Sequence, residues 1–367
     1  MQGDIEQHLI RLVSAHGPRN LAKIARMLNV SRETVVRAYD RLTEDGLGPR
    51  PNIRMDKLGL RRMVAIARPA KNADPKQLAS VFSVMGDYAY LEHYQKLDPS
   101  NAYLMIFTCP PTQVDKLNEF LSGMIDGSVF NVVGPAPLDW MRYHPIRAPW
   151  DPIPSSPVVS GPLDYIPEKE NALRSSNFDY RQLLLLAALQ AYPNASMVGL
   201  SQALAMWADA GYNEVKEYAL ASSSDWNSQL RGALKFVDSY PVHLSRGEPG
   251  VTRRRKHRWA SFTLLWDQLP KEGIKRAAMA CTSIPYLRTD AACEAAGLYF
   301  SVISAPSRLI PGYLSFVSKN APERMNVGIP SRFANYSLPF ASYMPREGRW
   351  DWKQERLETV LATLQAK

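Results

Sequence analysis

The strongest constraint on the fold of this chain is an internal repeat. Asn101-Ala-Tyr-Leu-Met-Ile-Phe-Thr-Cys-Pro110 and Gly297-Leu-Tyr-Phe-Ser-Val-Ile-Ser-Ala-Pro306 both read as a buried strand stopped by proline. Each is followed by a helix-period segment, Val114, Leu117, Phe120 and Leu121 in one and Ile310, Tyr313, Phe316 and Val317 in the other. Next come Phe130-Asn-Val-Val-Gly-Pro135 and Met325-Asn-Val-Gly-Ile-Pro330, and later Trp150-Asp151 and Trp350-Asp351. Identity is low, so the shared order of elements is what marks a duplication.

Each half then offers six elements in one order. In the first, residues 63–67 read as a strand, 75–85 as a helix, 88–97 and 102–108 as a hairpin, 114–125 as a helix and 129–133 as a strand. Asp98-Pro-Ser-Asn101 is the hairpin's turn. The second half repeats this over 259–266, 271–282, 286–296, 298–304, 307–318 and 325–329. That is β-α-β-β-α-β, a ferredoxin-like arrangement. Nine of the 28 prolines fall between Pro135 and Pro167, so this stretch reads as an extended linker with no internal helix, laid on a surface by Trp140, Tyr143 and Trp150.

The N-terminus reads as a helix-turn-helix. Ile5, Leu9, Leu12 and Val13 give one amphipathic helix, and Leu21, Ile24, Ala25 and Leu28 a second, short one. Asn29-Val30 turns the chain and Ser31 is a good N-cap for a third helix through Leu42, whose outer face shows Arg32, Glu33, Val36, Arg37 and Arg41. A recognition helix presents its first residues to the major groove, where an arginine fork matches guanine and a small apolar group matches thymine. The expected base contacts are Arg32, Thr34, Val36 and Arg37, and the expected phosphate contacts Ser31, Arg41, Arg50 and Arg54.

After the linker, Asn177 is read as the cap of a helix over 178–192, followed by helices over 197–208 and 225–237. The long gap before the last of these makes this second winged helix degenerate, and its expected exposed residues, Gln229, Arg231 and Lys235, are a weaker set. The run Arg253, Arg254, Arg255, Lys256, His257, Arg258 is the densest charge cluster, and a phosphate backbone would relieve its self-repulsion. A C-terminal amphipathic helix carries Leu357, Val360, Leu361 and Leu364.

Charge supports this placement. The 367 residues carry 44 Lys and Arg against 35 Asp and Glu, a net +9, and residues 1–62 alone hold 12 against 7. At 46% hydrophobic and 22% charged, the composition excludes wholesale disorder, and no apolar run approaches a membrane span. Three cysteines without a CxxC exclude a disulfide framework, and Cys109 reads as a packed core thiol. Neither a phosphate-binding glycine loop nor a GxSxG elbow occurs, and His8, His16, His93, His144, His243 and His257 lack metal-ligand spacing. No catalytic residue, cofactor or metal is expected on these grounds.

The segment Leu21-Ala-Lys-Ile-Ala-Arg-Met-Leu-Asn-Val-Ser-Arg-Glu-Thr-Val-Val-Arg37, with Leu42-Thr-Glu-Asp-Gly-Leu47, resembles the DNA-binding domain of the leucine-responsive (Lrp/AsnC) regulators. Asp56-Lys-Leu-Gly-Leu60 is similar to that family's hinge, and the βαββαβ order to its dimerising and effector-sensing domain. The likeness covers residues 1 to about 135 in motifs and the second half in architecture alone. It departs from the family at the effector turn, where Asp98-Pro-Ser-Asn-Ala-Tyr103 and Ala295-Ala-Gly-Leu-Tyr299 replace a Gly-x-Tyr-Asp-Tyr-like motif, leaving the effector open.

The expected fold is α+β, two tandem units, each a helix-turn-helix followed by a ferredoxin-like domain. Boundaries are expected at 1–48, 49–62 (wing and hinge), 63–135, 136–176 (linker), 177–258, 259–345 and 346–367. The resemblance implies a transcription regulator, not an enzyme, binding double-stranded DNA in the cytoplasm at the nucleoid, as a homodimer or an intramolecular pseudo-dimer, with a small-molecule effector. Two alternatives stand beside it. One is a nucleoid-organising protein of low sequence specificity. The other is an enzyme, because the family's fold resembles that of sirohaem decarboxylases, with His93 and Arg68 in the roles of basic groups.

Overall fold

The computed structural model describes residues 2–44, 47–70, 75–126, 130–147, 156, 158–159, 177–212, 215–217, 226–244, 259–321, 323–353, 355, 357–359 and 362. Three helices open the chain, α1 (Gln2–His16), α2 (Leu21–Leu28) and α3 (Arg32–Glu44), followed by the short strands β1 (Leu47–Pro49) and β2 (Asn52–Ile53). The first βαββαβ set is β3 (Arg61–Pro69), α4 (Pro75–Tyr88), β4 (Leu91–Asp98), β5 (Ala102–Cys109), α5 (Val114–Asp126) and β6 (Phe130–Pro137). Next come β7 (Trp140–His144), α6 (Tyr180–Ala191), α7 (Met197–Asp209), α8 (Trp226–Leu234), β8 (Val237–Ser239) and β9 (Val242–Leu244). The second set is β10 (Trp259–Trp266), α9 (Lys271–Thr282), β11 (Leu287–Cys293), β12 (Leu298–Pro306), α10 (Ile310–Asn320) and β13 (Met325–Asn335), with β14 (Tyr343–Met344) and β15 (Arg349–Trp350) after it. The fold is α+β in two units, each joining a helical module to a ferredoxin-like sheet.

The compact units do not follow the sequence halves. One comprises Met1–Asn52, Asp139–Glu170 and Asp238–Ile329, so the N-terminal helix-turn-helix belongs with the second βαββαβ set. The other comprises Ile53–Leu138, Asn171–Val237 and Pro330–Lys367, pairing the first βαββαβ set with the second helical module. The ladder that draws the first unit together is short. Strand β9 pairs antiparallel with β1, Pro49 opposite Val242 and Leu47 opposite Leu244. Beside it the Tyr240 N–H donates to Ser14 O at 2.8 Å and the Arg50 N–H to Pro241 O at 3.0 Å. Interactions this local in space and distant in sequence leave no periodic trace in either segment.

In the first unit the sheet runs β13-β10-β12-β11-β7, every described pair antiparallel. Phe262, Trp266, Tyr299 and Ile303 meet Ile274, Tyr313 and Val317 of the covering helices. Part of the proline-rich stretch expected as a surface linker is instead the edge strand β7, with Trp140 opposite Ala292 and His144 opposite Arg288. Asp139 fixes its start, its N–H donating to Ala292 O at 2.9 Å and its Oδ2 accepting the Glu294 N–H at 2.6 Å.

In the second unit the order is β6-β3-β5-β4, with Phe82, Tyr103, Phe107, Leu117 and Phe130 in the core. The apolar run 183–189 is buried all round as the middle of α6, a central helix of this unit. Its cap is Asp179, not Asn177. The Asp179 carboxylate accepts the Arg181 N–H at 2.8 Å while Gln182 reaches back to the Asp179 N–H, a capping box.

Gly17 shows how tightly the first unit's helices grip Tyr240, between β8 and β9. Its φ is +79°, and a Cβ there would lie 2.7 Å from the Tyr240 ring. Gly17→Ala should lower stability by about 1–3 kcal/mol, through strain and overpacking together. Urea unfolding measures this, and an unchanged midpoint would show that the ring is free to move aside.

Candidate functional site

Strands β11 and β12 carry polar side chains into the layer where the first unit's sheet meets its helices. Residues two apart on a strand share a face, so Arg288 and Asp290 point the same way, and Ser301 lies directly opposite Asp290. Arg288 Nε donates to Asp290 Oδ2 at 2.7 Å and Ser301 Oγ to Asp290 Oδ1 at 2.6 Å. Arg288 Nη1 donates to Cys281 O at 2.6 Å and Ile284 O at 2.9 Å, placing a cation on the C-terminal carbonyls of α9. From β7, His144 Nε2 lies 3.1 Å from Asp290 Oδ2. Arg288 and Asp290 are 0% and 1% exposed.

Burial by itself would raise the Asp290 carboxyl, but Arg288, His144 and Ser301 together outweigh it and hold it below its ordinary value. Burial pushes the neighbouring Cys281 thiol up to about 12, and the Cys109 thiol likewise, so neither is a thiolate at neutral pH. Among the described residues no group of three His, Cys, Asp or Glu is placed to hold a metal ion.

The duplication provides a control for this network. The pair three steps along the hairpin ladder is Asp290–Ser301 in one unit and Tyr94–Met105 in the other. Tyr94 stacks on Phe82 at 4.0 Å between ring centroids, in an apolar core. One copy thus has hydrophobic packing where the other buries an ion pair.

A cavity of about 240 Å³ lies in the first unit. Helix α1 lends it Arg11 and Ser14, β7 lends Tyr143 and His144, and β11 lends Arg288 and Thr289. Ser239, Val242, Leu287 and Ser304 complete a wall that is part polar, part apolar.

The residues expected from sequence fall elsewhere. Ser31 Oγ accepts the Thr34 N–H at 3.2 Å and so caps α3, with Thr34 Oγ1 3.0 Å from it. Arg32 and Arg37 are exposed and Val36 is half-buried. Arg41 pairs with Glu6 at 3.1 Å and Arg54 with Asp56 at 3.0 Å, while Arg50 is half-buried beside β9. Arg253, Arg254, Arg255, Lys256 and Arg258 lie outside the described residues. Gln229, expected to be exposed on α8, is half-buried and donates to Asp179 at 3.4 Å.

His93 and Arg68 occupy one face of the second unit's sheet without meeting. His93 pairs opposite Ile106, whereas Arg68 follows Ala67, which pairs opposite Tyr103, so they lie about 13 Å apart along the strands alone. His93 Nδ1 is instead 2.7 Å from Asn335 Oδ1. Sequence reasoning missed Arg288, Asp290, Ser301 and His144. The available signal was an opposite-charge pair two residues apart inside the otherwise apolar strand Leu287-Arg-Thr-Asp-Ala-Ala-Cys293.

No protein-family model and no curated protein matches this chain. Among solved structures, that of the siroheme decarboxylase NirDL matches end to end, at 10% identity over 100% of this chain and 99% of that one, TM-score 0.48. Its co-complex with an iron-uroporphyrin III analogue matches at 10% identity over 98% and 100%, TM-score 0.49. LrpC of B. subtilis matches 35% of this chain and 89% of its own, at 15% identity and TM-score 0.30. The expectation of a protein that is not an enzyme is corrected here, because the structure spanning the whole chain is an enzyme's. Likeness at this level says nothing of this chain's own reaction. No helix among the described residues is long and apolar enough to cross a membrane.

The network makes a stability prediction. Asp290→Asn leaves Arg288 buried without its counter-charge and should cost about 3–5 kcal/mol at neutral pH. Because the folded carboxyl is held below its unfolded value, the native contribution is present above the usual carboxylate range and is lost as pH falls through the depressed value. The variant should lack that acid dependence. Denaturant unfolding at neutral and acid pH checks both, and a loss under about 1 kcal/mol would mean the pair contributes little.

Proposed function

We propose that this protein is an enzyme on an Lrp-like scaffold, acting on a carboxylate-bearing tetrapyrrole of the sirohaem class and releasing CO2 at the first unit's cavity. The observation that carries this reading is the Arg288–Asp290–Ser301–His144 network, buried where the duplicate copy places Tyr94 opposite Met105. Burying such a group costs stability, so its presence at a ladder position where the other copy has Tyr94 stacked on Phe82 supports a chemical role there. A second support is the wall itself, which combines Arg11, five hydroxyl side chains and an Asp-oriented imidazole.

In a decarboxylation the C–C bond to the carboxylate breaks, CO2 leaves, and the electron pair stays on carbon until a proton arrives: R–CH2–COO⁻ plus H⁺ gives R–CH3 plus CO2. His144 suits the proton delivery. Asp290 engages its Nε2, leaving Nδ1 as the nitrogen from which the proton is given. At about 240 Å³ the cavity falls below the roughly 300–1,000 Å³ that encloses a drug-sized ligand, so it takes a carboxylate arm and the ring bearing it, not a whole macrocycle.

Anaerobic incubation with sirohaem, followed by mass spectrometry and absorbance, tests the reading. The expected result is loss of CO2 from the substrate, slowed roughly 100-fold or more in His144→Gln. Sirohaem recovered with every carboxylate intact would overturn it.

A second reading, DNA binding, is favoured by one observation. Arg32 and Arg37 stand exposed on an N-capped α3, with no ion-pair or hydrogen-bond partner among the described residues. In this reading Arg32, Thr34, Val36 and Arg37 meet bases, with Ser31, Arg41, Arg50, Arg54 and the 253–258 run on phosphates. Arg37→Ala should then cost about 1–3 kcal/mol on the preferred sequence and relax preference at one base. Equal weakening on selected and random DNA, measured across a salt titration, would refute the base contact.

A further inference from the structure

The cavity's most exposed cation comes from the helix-turn-helix. Arg11, on α1, points one edge of its guanidinium at main chain, Nε donating to Ile146 O at 3.2 Å and Nη2 approaching Arg147 O at 3.5 Å. Nη1 is uncommitted, and among the described residues no carboxylate pairs with Arg11. Arg288 also lines the cavity, and its Nη2, on a fully buried side chain, has no partner among the described residues. The neighbouring Arg147 adds positive charge, its guanidinium donating to Thr282 O. Asp290, the carboxylate beside Arg288, is already committed to Arg288, Ser301 and His144. This is a wall with donors to spare and an excess of positive charge, and it asks for an anionic oxygen ligand.

The same wall is the mounting of α1. Ser14 O accepts the Tyr240 N–H, Ser14 and Val242 both line the cavity, and Val242 pairs with Pro49 of the wing. The cavity is therefore bordered by α1, β9 and β11 at once. We infer that Arg11 is the carboxylate anchor of this cavity, and that the carboxylate it holds fastens the helix-turn-helix to the sheet of its own unit. The substrate class rests on the reading given under Proposed function; the anchoring role of Arg11 does not.

Hydrogen exchange on the full chain tests it, with iron-uroporphyrin and, separately, citrate as probes. Each bound probe should slow amide exchange in residues 9–17 and 239–244. Arg11→Gln should weaken binding about tenfold or more and abolish that protection, since it removes a charge-assisted hydrogen bond. Arg11→Lys should restore part of both, and thermal melts of the two variants should match the parent. Citrate protection without iron-uroporphyrin binding supports the anchor and overturns the tetrapyrrole reading. Iron-uroporphyrin binding equally well to Arg11→Gln overturns the anchor and leaves that reading standing. Failure of both probes to bind, or binding with no protection of residues 9–17, overturns the anchor.

Discussion

The first unit depends on keeping Asp290 ionised inside a helix–sheet layer. An unpaired buried carboxylate is unaffordable at the scale of a domain's stability, because the effective desolvation penalty is several kcal/mol against a total of about 5–15. Three elements are committed to offsetting it. Strand β11 supplies Arg288 two residues away, β12 supplies the Ser301 hydroxyl, and β7 brings in His144. Arg288 is in turn held by the last carbonyls of α9, so the helix end, the ion pair and the imidazole form one connected set. This requirement gives β7 its purpose. Without that edge strand the outer flank of Asp290 would have no partner.

The two copies of the βαββαβ unit have diverged along this axis. At matched ladder positions Ser261 and Ser304 share a hydroxyl–hydroxyl contact of 2.7 Å in one unit, while the other has Arg62 and Thr108, both bonded to Glu92. Thr289, a cavity residue, corresponds to His93. Each copy has kept a polar group where its twin has a different one, and the copy with the cavity has small hydroxyls at the wall. A small side chain leaves room; an arginine–glutamate pair fills it. The cavity of about 240 Å³ lies in the unit with the Arg288–Asp290 pair.

Much of the architecture was legible because it rests on local patterns. The hairpin at Asp98 to Asn101, the αL residue Asn29 between α2 and α3, and the cap Ser31 are turn and cap chemistry with short-range signatures. The site was not legible for the opposite reason. His144 and Asp290 meet only because β7 pairs with β11, and proline density masked β7 as a linker. Nor does any local pattern announce that residues 47–49 pair with 242–244, although this three-residue ladder decides which helical module joins which sheet. The cap of α6 was misplaced by two residues because Asn177 and Asp179 are both competent caps. Gln182 decides between them by reaching back to the Asp179 N–H.

The helical modules repeat the asymmetry of the sheets. A regulator that reads a palindrome needs two equivalent recognition helices about one helical turn apart. Here α3 presents exposed arginines, whereas α8 follows α7 only after residues 210–225, and its Gln229 is turned back onto the cap of α6. The second module has become packing for an apolar unit, with α6 buried from Leu183 to Leu189. The first has become the wall of a cavity through Arg11 and Ser14. Selection for two-fold DNA reading would have preserved likeness between the copies, so divergence at both levels points to a single site per chain. A decaying second copy alone would explain the loss of α8's reading face. It does not explain why the first unit buries the Arg288–Asp290 pair at a ladder position where the other copy has Tyr94 stacked on Phe82.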